Sequence, residues 1–274
     1  AHQITISVSD IPYGEKWILK KLQDTVNLNF YTSGKWLIQG KESRLKNEIE
    51  GLFLEVSDTG DFTGNVIGSD ESGKGHYFGP LVVCSFLFEE SKQEKIKKIG
   101  AKDSKKLTDK KILEIADELK KYPHSLIVLN PSEYNFIYEQ DKNLNVLLAK
   151  LHGEAVKSIV KNHKIDHIVI DQFAANASVI TNHFKGVDAK VTTRFRAEEI
   201  PAVACASILA RAHFVKAMGL LEKKYGLSFP KGASMEVEIA AENYVKKYGF
   251  DKLSEVAKLH FVTTQKILQS KLDV

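Results

Sequence analysis

Cysteine is scarce in this sequence: among 274 residues only Cys84 and Cys205 carry thiols, and neither belongs to a CxxC or Cys/His pattern. This spacing gives no zinc site. Their neighbours, VVCSF and AVACAS, are apolar or small, which is typical of buried free thiols. We therefore expect two buried thiols in a protein of the reducing cytoplasm.

Long apolar runs and a strong excess of one charge are also missing. No run approaches the roughly 18 residues that span a bilayer, and the start, AHQITISVSD, lacks a basic-then-apolar leader. We expect a soluble protein without membrane contact. The chain has 39 Lys and Arg against 35 Asp and Glu, a net charge of +4, which permits a nucleic-acid partner without requiring one.

The first fifty-odd residues predict a small βαββα unit. Apolar and polar residues alternate from Ile4 to Val8, as in a strand, and the stretch from Pro12 to Val26 has the apolar spacing of a helix. The segments Leu28–Tyr31 and Trp36–Gln39 predict a hairpin, and the apolar spacing from Leu45 to Phe53 predicts a second helix.

The polar, glycine-containing stretch Val56 to Asn65 predicts a domain boundary, so we place the two domains at residues 1–60 and 61–274. In the larger domain, apolar runs predict buried strands at 66–67, 81–88, 126–129 and 168–170. Helical spacing predicts helices at 109–121, 144–160 and 200–215. The larger domain is therefore expected to be an α/β domain.

Two adjacent acids, Asp70 and Glu71, follow a short apolar strand and open the stretch GSDESGKGHYFGP. This stretch matches the P-loop pattern G-x-x-x-x-G-K, but Gly75 stands where a Ser or Thr should ligate magnesium, and the acids would repel phosphates. Carboxylates at a strand end instead suit hard divalent cations. The plain alternative is a tight turn with solvent-facing acids.

The glycine loop that follows the acids suits a substrate contact. Glycines at 73 and 75 allow close backbone approach, so their N–H groups can meet a phosphate or a sugar hydroxyl such as the 2′-OH of RNA, and Lys74 adds positive charge.

Further acids follow later in the chain. Asp171 ends an apolar strand, where it could be a cation ligand or a helix cap. Glu198 and Glu199 precede a helix rich in small residues and could complete a four-carboxylate cluster or complement the helix dipole.

Together these pieces resemble the ribonuclease HII/HIII family. The family's Asp-Glu-x-Gly-x-Gly motif reads DESGKG at Asp70–Gly75, and its helix motif reads ASILAR at Ala206–Arg211. KDSKKLTDKKI at Lys102–Ile112 and FPKGAS at Phe229–Ser234 are similar to other family segments, so the match spans nearly all of residues 66–274. The resemblance implies a ribonuclease H-like mixed sheet flanked by helices.

Within the family, three segments favour the HIII branch over HII: Tyr77–Pro80, the region from Asn143 to His152, and KLHF at Lys258–Phe261. The N-terminal domain, with SGKWLIQGK at Ser33–Lys41, is similar to the TATA-box-binding-protein-like substrate domain of HIII enzymes. His76 departs from the family, because many HIII sequences carry an acid there.

The resemblance also implies the site residues. Asp70, Glu71 and Asp171 become catalytic metal ligands, with Glu198 as the fourth and Glu199 as the open alternative. Two Mg²⁺ or Mn²⁺ ions per site are implied as cofactors. The implied substrate contacts are Ser72, Gly73, Lys74, Gly75, Tyr77, Lys105, Lys106 and Ser207.

The activity that the resemblance implies is endonucleolytic hydrolysis of the RNA strand of RNA/DNA hybrids by two metal ions, leaving 5′-phosphate and 3′-hydroxyl ends. We expect a monomer. Two alternatives stay open at this point: HII-like cleavage at single ribonucleotides in duplex DNA, and a hybrid-binding protein without catalysis.

Overall fold

The computed structural model describes residues 4–32, 36–41, 43, 45–46, 48–49, 62–101, 107–174, 177–194 and 197–272. The chain divides into two compact units, Ala1–Asp61 and Phe62–Val274. The predicted boundary segment lies partly outside the described residues. The Ser33-Gly34 turn of the predicted hairpin and the end of the second predicted helix lie wholly outside them.

The N-terminal unit is an antiparallel sheet of four consecutive strands. They are β1 (Thr5–Ile11), β2 (Gly14–Lys21), β3 (Asp24–Tyr31) and β4 (Trp36–Gln39), each paired with the next along the chain. Residues 45, 46, 48 and 49 are helical. A small apolar core joins Leu19, Val26 and Leu28 of the sheet to Leu45 and Ile49.

The helix predicted between Pro12 and Val26 is wrong, and the βαββα order with it, because this stretch forms β2 and the start of β3. Its apolar residues fit either periodicity, so the pattern alone did not decide between them. Tight turns with positive φ at Tyr13 and Leu22 interrupt the stretch, and cross-strand pairing sets Leu19 opposite Val26. The predicted hairpin of β3 and β4 is confirmed by their antiparallel pairing.

The second unit contains a five-stranded mixed sheet in the order β7-β6-β5-β8-β9. Its strands are β5 (Val66–Ser72), β6 (Leu81–Phe88), β7 (His124–Leu129), β8 (His167–Asp171) and β9 (Lys190–Arg194). The pairs β5–β8 and β8–β9 are parallel, whereas β5–β6 and β6–β7 are antiparallel. The four predicted strands are therefore confirmed, and β9 is an additional strand.

Helices cover the sheet on both faces. Their bounds are α1 (Gln93–Ile99), α2 (Asp109–Leu119), α3 (Pro131–Asp141), α4 (Leu144–Val160), α5 (Ala177–Thr181), α6 (Pro201–Tyr225), α7 (Met235–Tyr248) and α8 (Val262–Leu272). The predicted helices are confirmed in α2, α4 and α6. Thr108 caps α2, because its Oγ1 accepts from the backbone N–H of Lys111. Every residue of β6 is buried, as expected for a strand covered on both faces.

Helix α6 is longer than the sequence predicted, and it is the one candidate membrane span in the described part of the chain. Its length and apolar composition would suffice to cross a bilayer, contrary to our expectation that no segment would. However, 61% of its most apolar 18-residue stretch is buried, because the helix packs on β5 and β6. Cys84 on β6 and Cys205 on α6 are both free and buried, as predicted.

Candidate active site

The acids predicted from sequence lie around one pocket at the ends of two central strands. Because β5 and β8 are parallel neighbours, Asp70 and Glu71 near the end of one come close to Asp171 at the end of the other. The pocket, of about 510 Å³, is also lined by residues of the glycine loop, the turn before α6 and α6 itself. Its lining comprises Asp70, Glu71, Ser72, Gly73, Lys74, Gly75, His76, Asp171, Glu198, Ser207, Arg211, Phe214, Val215 and Lys231.

Strand alternation sends Asp70 and Glu71 to opposite faces of the sheet. Asp70 is on the α6 side, where the Ser207 hydroxyl hydrogen-bonds its carboxylate. Glu71 is on the α4 side, where Nε2 of His152 lies 3.3 Å from Oε2 of Glu71. The two adjacent acids therefore reach the pocket with different sets of neighbours.

Close packing of α6 against β5 is possible because residue 68 is glycine. A Cβ on Gly68 would lie 2.1 Å from the carbonyl carbon of Ala202, in the first turn of α6. The small buried residues at the start of this helix keep it equally close to the sheet. As a result, Ser207 and the turn that carries Glu198 lie beside the acidic end of β5.

Asp70 has a strongly shifted pKa in this pocket. Burial, with the negative charges of Glu71 and Asp171, raises its pKa to about 8, although hydrogen bonds from Ser207 and from the backbone N–H of Glu71 oppose the shift. A carboxylate in this setting gains from any nearby cation. Asp70 is therefore poised to accept a metal ion in place of a proton.

The pKa of Glu71 is shifted in the opposite direction from that of Asp70. Burial alone would raise its pKa, but the His152 hydrogen bond and the Lys74 ammonium outweigh burial and hold the pKa below its usual value. The Nζ of Lys74 lies 3.3 Å from Oε1 of Glu71, and it also lies over the Phe173 ring. Glu71 is therefore ionised and is held through both of its oxygens.

Asp171 and Glu198 complete the acidic lining. Oδ1 of Asp171 accepts a hydrogen bond of 3.0 Å from the backbone N–H of Ala197, so Asp171 also ties down the turn that carries Glu198. Glu199 does not line the pocket; its side chain is 44% exposed and lies 3.7 Å from Arg194. Between the two glutamates that the sequence left open, the geometry favours Glu198.

These acids do not form the tight cluster that the sequence led us to expect. Within the described residues, no group of three or more His, Cys, Asp or Glu side chains is close enough to hold one metal ion. Several of these carboxylates instead hydrogen-bond to backbone N–H groups or to His152. The donor set nevertheless fits a hard divalent cation, because carboxylate oxygens are the ligands that Mg²⁺ and Mn²⁺ prefer.

The two glycines of the loop differ in what requires them. Gly73 has φ +93°, and a Cβ there would lie 2.1 Å from the Pro80 carbonyl oxygen, so the loop itself needs glycine. A Cβ on Gly75 would meet nothing within 4 Å. Gly75 therefore leaves space at the pocket that the chain itself does not fill.

The prediction that Tyr77 contacts substrate is wrong. Its side chain is fully buried against Phe78 and Phe261, its hydroxyl lies 3.0 Å from Oγ1 of Thr264, and burial raises its pKa to about 12. The ring extends the apolar core below the loop. Tyr77 therefore anchors the loop from behind and does not line the pocket.

The C-terminal KLHF segment braces the same loop. Its Lys258 is buried, and Nζ donates to the Gly79 carbonyl at 2.6 Å, while the backbone N–H of Lys258 donates to the Tyr77 carbonyl. Burial lowers the pKa of Lys258 to about 7. The glycine loop is thus held against segments distant in sequence.

Positive side chains flank one side of the pocket. Lys231 and Arg211 both contact Asp109, at 2.6 and 3.0 Å, and Nδ1 of His76 accepts from the backbone N–H of Gly232. Burial, together with nearby cationic side chains including Lys258, lowers the pKa of His76 and keeps its ring neutral. Lys105 and Lys106, predicted as substrate contacts, lie outside the described residues.

His152 is a site neighbour to which the sequence analysis gave no role. It is fully buried in α4, in a stretch whose apolar spacing predicted only a packed helix. The available signal was a histidine on the buried face of that helix. Its partners on β5 are 81 and 83 residues away in sequence, so no local pattern could reveal them.

A mixed sheet with acids at the ends of two parallel central strands, beside a glycine loop and a small-residue helix, defines a ribonuclease H-like enzyme. The family model described as Ribonuclease HII matches residues 67–264, and the chain belongs to this family of ribonucleases, the ribonuclease HII/HIII family. Its similarity over nearly the whole length is to ribonucleases HIII. It is 35% identical to a ribonuclease HIII of Staphylococcus aureus (strain MSSA476), over 96% of this chain and 92% of the relative.

Other relatives agree with this assignment. A ribonuclease HIII of Protochlamydia amoebophila (strain UWE25) is 36% identical over 87% of this chain and 82% of its own. The crystal structure of Bst-RNase HIII in complex with Mn²⁺ superposes with a TM-score of 0.70 at 30% identity, covering 97% of this chain and 92% of that one. The ribonuclease H2 of Pyrococcus horikoshii OT3 (TM-score 0.66, 27% identity) covers 98% of its own chain but 75% of this one.

Proposed function

We propose that this chain is an endonuclease that hydrolyses the RNA strand of RNA/DNA hybrids and leaves 5′-phosphate and 3′-hydroxyl ends. The observation that carries the proposal is the pocket in which Asp70, Glu71, Asp171 and Glu198 lie beside the glycine loop. Membership of the ribonuclease HII/HIII family supports the reaction class.

Asp70, Glu71, Asp171 and Glu198 would hold two Mg²⁺ or Mn²⁺ ions, since all four supply carboxylate oxygens to one pocket. The raised pKa of Asp70 supports this role, because burial and the nearby charges of Glu71 and Asp171 disfavour its ionised form, and a bound cation would stabilise that form. When bound, such ions activate a water nucleophile and stabilise the departing 3′ oxygen. The Mn²⁺ complex of Bst-RNase HIII, a similar protein, agrees with the choice of cation.

The protein itself binds and orients the RNA strand. The backbone of the loop from Ser72 to Gly75 offers N–H donors to a phosphate or 2′-hydroxyl, and Gly75 leaves room for that approach. Ser207 fixes the Asp70 carboxylate. Lys74, Arg211 and Lys231 add positive charge for phosphates, and we assign Lys105 and Lys106 the same role.

For the N-terminal unit we propose binding of the hybrid through one face of its sheet. Residues directly opposite in antiparallel strands share a face, and the register places Lys16 and Lys20 on the same face as Ser7, Asn27 and Gln39. None of the paired positions on this face is an Asp or Glu. A polar, cationic sheet face suits the backbone of a nucleic acid.

The test is incubation of the protein and of Asp70→Asn with labelled RNA/DNA hybrid, RNA/RNA and DNA/DNA duplexes, with and without Mn²⁺ or Mg²⁺. We expect wild-type cleavage of the hybrid only with metal. Asp70→Asn should lose cleavage yet bind the hybrid with an affinity close to that of the wild type, because it removes one ligand and no backbone contact. Undiminished cleavage by Asp70→Asn would refute the proposed site.

The same assay separates the rival functions when a duplex with one embedded ribonucleotide is added. Preferential cleavage of that duplex would indicate an HII-like activity. Binding of the uniform hybrid without cleavage under any metal condition would indicate a non-catalytic hybrid-binding protein.

A further inference from the structure

A chain of buried polar side chains runs from the interior of the catalytic sheet to the pocket. Ser69, Ser85 and His152 are all fully buried. Oγ of Ser69 lies 2.8 Å from Oγ of Ser85 and 2.7 Å from Nδ1 of His152, and Nε2 of His152 lies 3.3 Å from Oε2 of Glu71. Polar groups are costly to bury unless each has a hydrogen-bond partner. These side chains therefore form a hydrogen-bonded network within an otherwise apolar layer.

The direction of the final hydrogen bond follows from the chemistry of its acceptor. An ionised carboxylate can only accept, so Nε2 of His152 must carry the proton that points at Glu71. In a neutral ring, Nδ1 then accepts from the Ser69 hydroxyl, which accepts from Ser85. In a protonated ring, Nδ1 donates to Ser69, whose hydroxyl can donate to the Cys84 carbonyl. His152 donates to Glu71 in both charge states.

The imidazole ring has little freedom to turn away from Glu71. It stacks on Phe173 at 5.1 Å with an interplanar angle of 19°, and Ser69 fixes its other edge. The other oxygen of Glu71 faces Lys74, whose side chain is 34% exposed and can move toward a substrate. His152 is therefore the permanent partner of this carboxylate.

We propose that His152 is a positioning residue that holds the Glu71 carboxylate in the orientation in which it binds a divalent cation. This inference rests on the proposed function only in taking Glu71 as a metal ligand. Hydrogen bonds to ligating groups fix their orientation, and their loss typically weakens metal affinity about 10–100-fold.

Two substitutions separate positioning from packing. The amide of His152→Gln can place an N–H near the position of Nε2 and keep the contact with Glu71. His152→Asn is one bond shorter, so it can keep the contact with Ser69 but cannot reach Glu71. His124→Asn is the matched control, because Nδ1 of His124 contacts the Tyr122 carbonyl and His124 does not line the pocket.

The readouts are Mn²⁺ binding without substrate, followed by electron paramagnetic resonance of free Mn²⁺, the melting temperature, and kcat and KM for the hybrid. We expect His152→Asn to weaken Mn²⁺ binding about 10–100-fold and to lower kcat with little change in KM. His152→Gln should stay within a few-fold of the wild type in Mn²⁺ affinity, and His124→Asn should match the wild type.

Equal Mn²⁺ affinity in His152→Asn and the wild type would overturn the proposal. So would an equal loss of Mn²⁺ affinity in the Asn and Gln variants, which would make His152 a packing residue. Asp70→Asn with wild-type Mn²⁺ affinity would also overturn it, since the cation would then bind elsewhere. If the wild type binds Mn²⁺ but leaves hybrids uncut, the proposed function fails, and the binding data still decide the role of His152.

Discussion

Glu198 and Glu199 are adjacent in sequence, yet only Glu198 lines the pocket. Both lie in the short 3₁₀ turn Ala197–Glu199 before α6, and the turn directs the Glu198 side chain toward the pocket and the Glu199 side chain toward Arg194. The sequence could not choose between them, because adjacent acids before a helix are equivalent in pattern. The orientation of one turn decides which carboxylate can reach a metal.

This difference gives a matched pair of variants. We expect Glu198→Gln to lower kcat for hybrid cleavage on the order of 100-fold, which corresponds to about 2.7 kcal/mol of activation free energy, because a ligand charge is lost. Glu199→Gln should stay near wild-type kcat. Steady-state kinetics at saturating Mn²⁺ measure both, and the reverse order of effects would assign the fourth ligand to Glu199.

Asp70 also makes a prediction about stability in the absence of metal. Its pKa is about 8 in the folded protein against 3.8 for an unperturbed Asp, so the folded state binds the extra proton between these values. The contribution of Asp70 to folding is therefore most favourable below pH 4 and is lost as the pH rises through 8. The Asn side chain of Asp70→Asn does not ionise, so the variant avoids this pH-dependent loss of stability.

We expect the metal-free Asp70→Asn protein to melt at a higher temperature than the wild type at pH 8.5, with a smaller difference at pH 5. Thermal unfolding in the presence of a chelator measures the two curves. A melting difference that does not change between these two pH values would show that Asp70 has an ordinary pKa. Added Mn²⁺ should narrow the difference at pH 8.5 by stabilising the wild type.

At the scale of elements, the contact of α6 with β5 brings together the acidic strand end and the small-residue helix. Gly68 allows this contact, since its backbone meets Ala202 where a side chain would not fit. Gly68 lies two residues before Asp70 on β5, and Ser207 lies on α6. Any displacement of α6 from the strand therefore also moves Ser207 away from the Asp70 carboxylate. Packing and chemistry are therefore coupled at this crossing.

We expect Gly68→Ala to lower the free energy of unfolding by about 1–3 kcal/mol, as overpacked cores do. It should also lower kcat, because α6 must move away from the strand. Gly75→Ala is the control, because a Cβ there meets no atom of the protein. Gly75→Ala should keep the wild-type melting temperature and raise KM for the hybrid. Denaturant unfolding and kinetics test both; unchanged stability of Gly68→Ala would mean that α6 adjusts without cost.

The N-terminal strands show where periodicity alone fails. The apolar residues between Pro12 and Val26 have helical spacing, yet the stretch forms β2 and the start of β3, which pair with each other. Pairing with β1 and β4 satisfies the backbone groups of both strands, and packing under Leu45 and Ile49 buries their apolar face. These are long-range contacts, and they override local propensity.

At the scale of the whole molecule, the chain has two compact units. The proposed binding of the hybrid by the N-terminal unit can be tested by the salt dependence of hybrid affinity. Each lysine that contacts a phosphate contributes about 1 to the slope of log affinity against log salt concentration. We expect Lys16→Ala with Lys20→Ala to reduce that slope by about 2 and to raise KM, with kcat unchanged.

Lys21→Ala is the matched control, because Lys21 lies on the other face of the same sheet and pairs with Glu48 at 2.9 Å. Hybrid binding measured by fluorescence anisotropy from 50 to 300 mM salt gives the slopes. A slope that is unchanged in the double variant would remove this face from the interface. The expectations of a monomeric, cytoplasmic protein without membrane contact stay predictions.

The sequence by itself predicted the α/β class of the larger unit, four of its strands, the helices α2 and α4, and three acids of the pocket, Asp70, Glu71 and Asp171. It could do so because buried strands, helix caps and strand-end carboxylates depend on residues close together in the chain. The motifs DESGKG and ASILAR carried the family resemblance for the same reason.

Only the tertiary structure decided that Glu198 rather than Glu199 lines the pocket, that Tyr77 is a core residue, and that His152 holds Glu71. It also decided that the second and third N-terminal strands are not a helix. Each of these outcomes depends on contacts between segments distant in sequence. Local pattern carries no information about which face of a turn, strand or ring such a partner will meet.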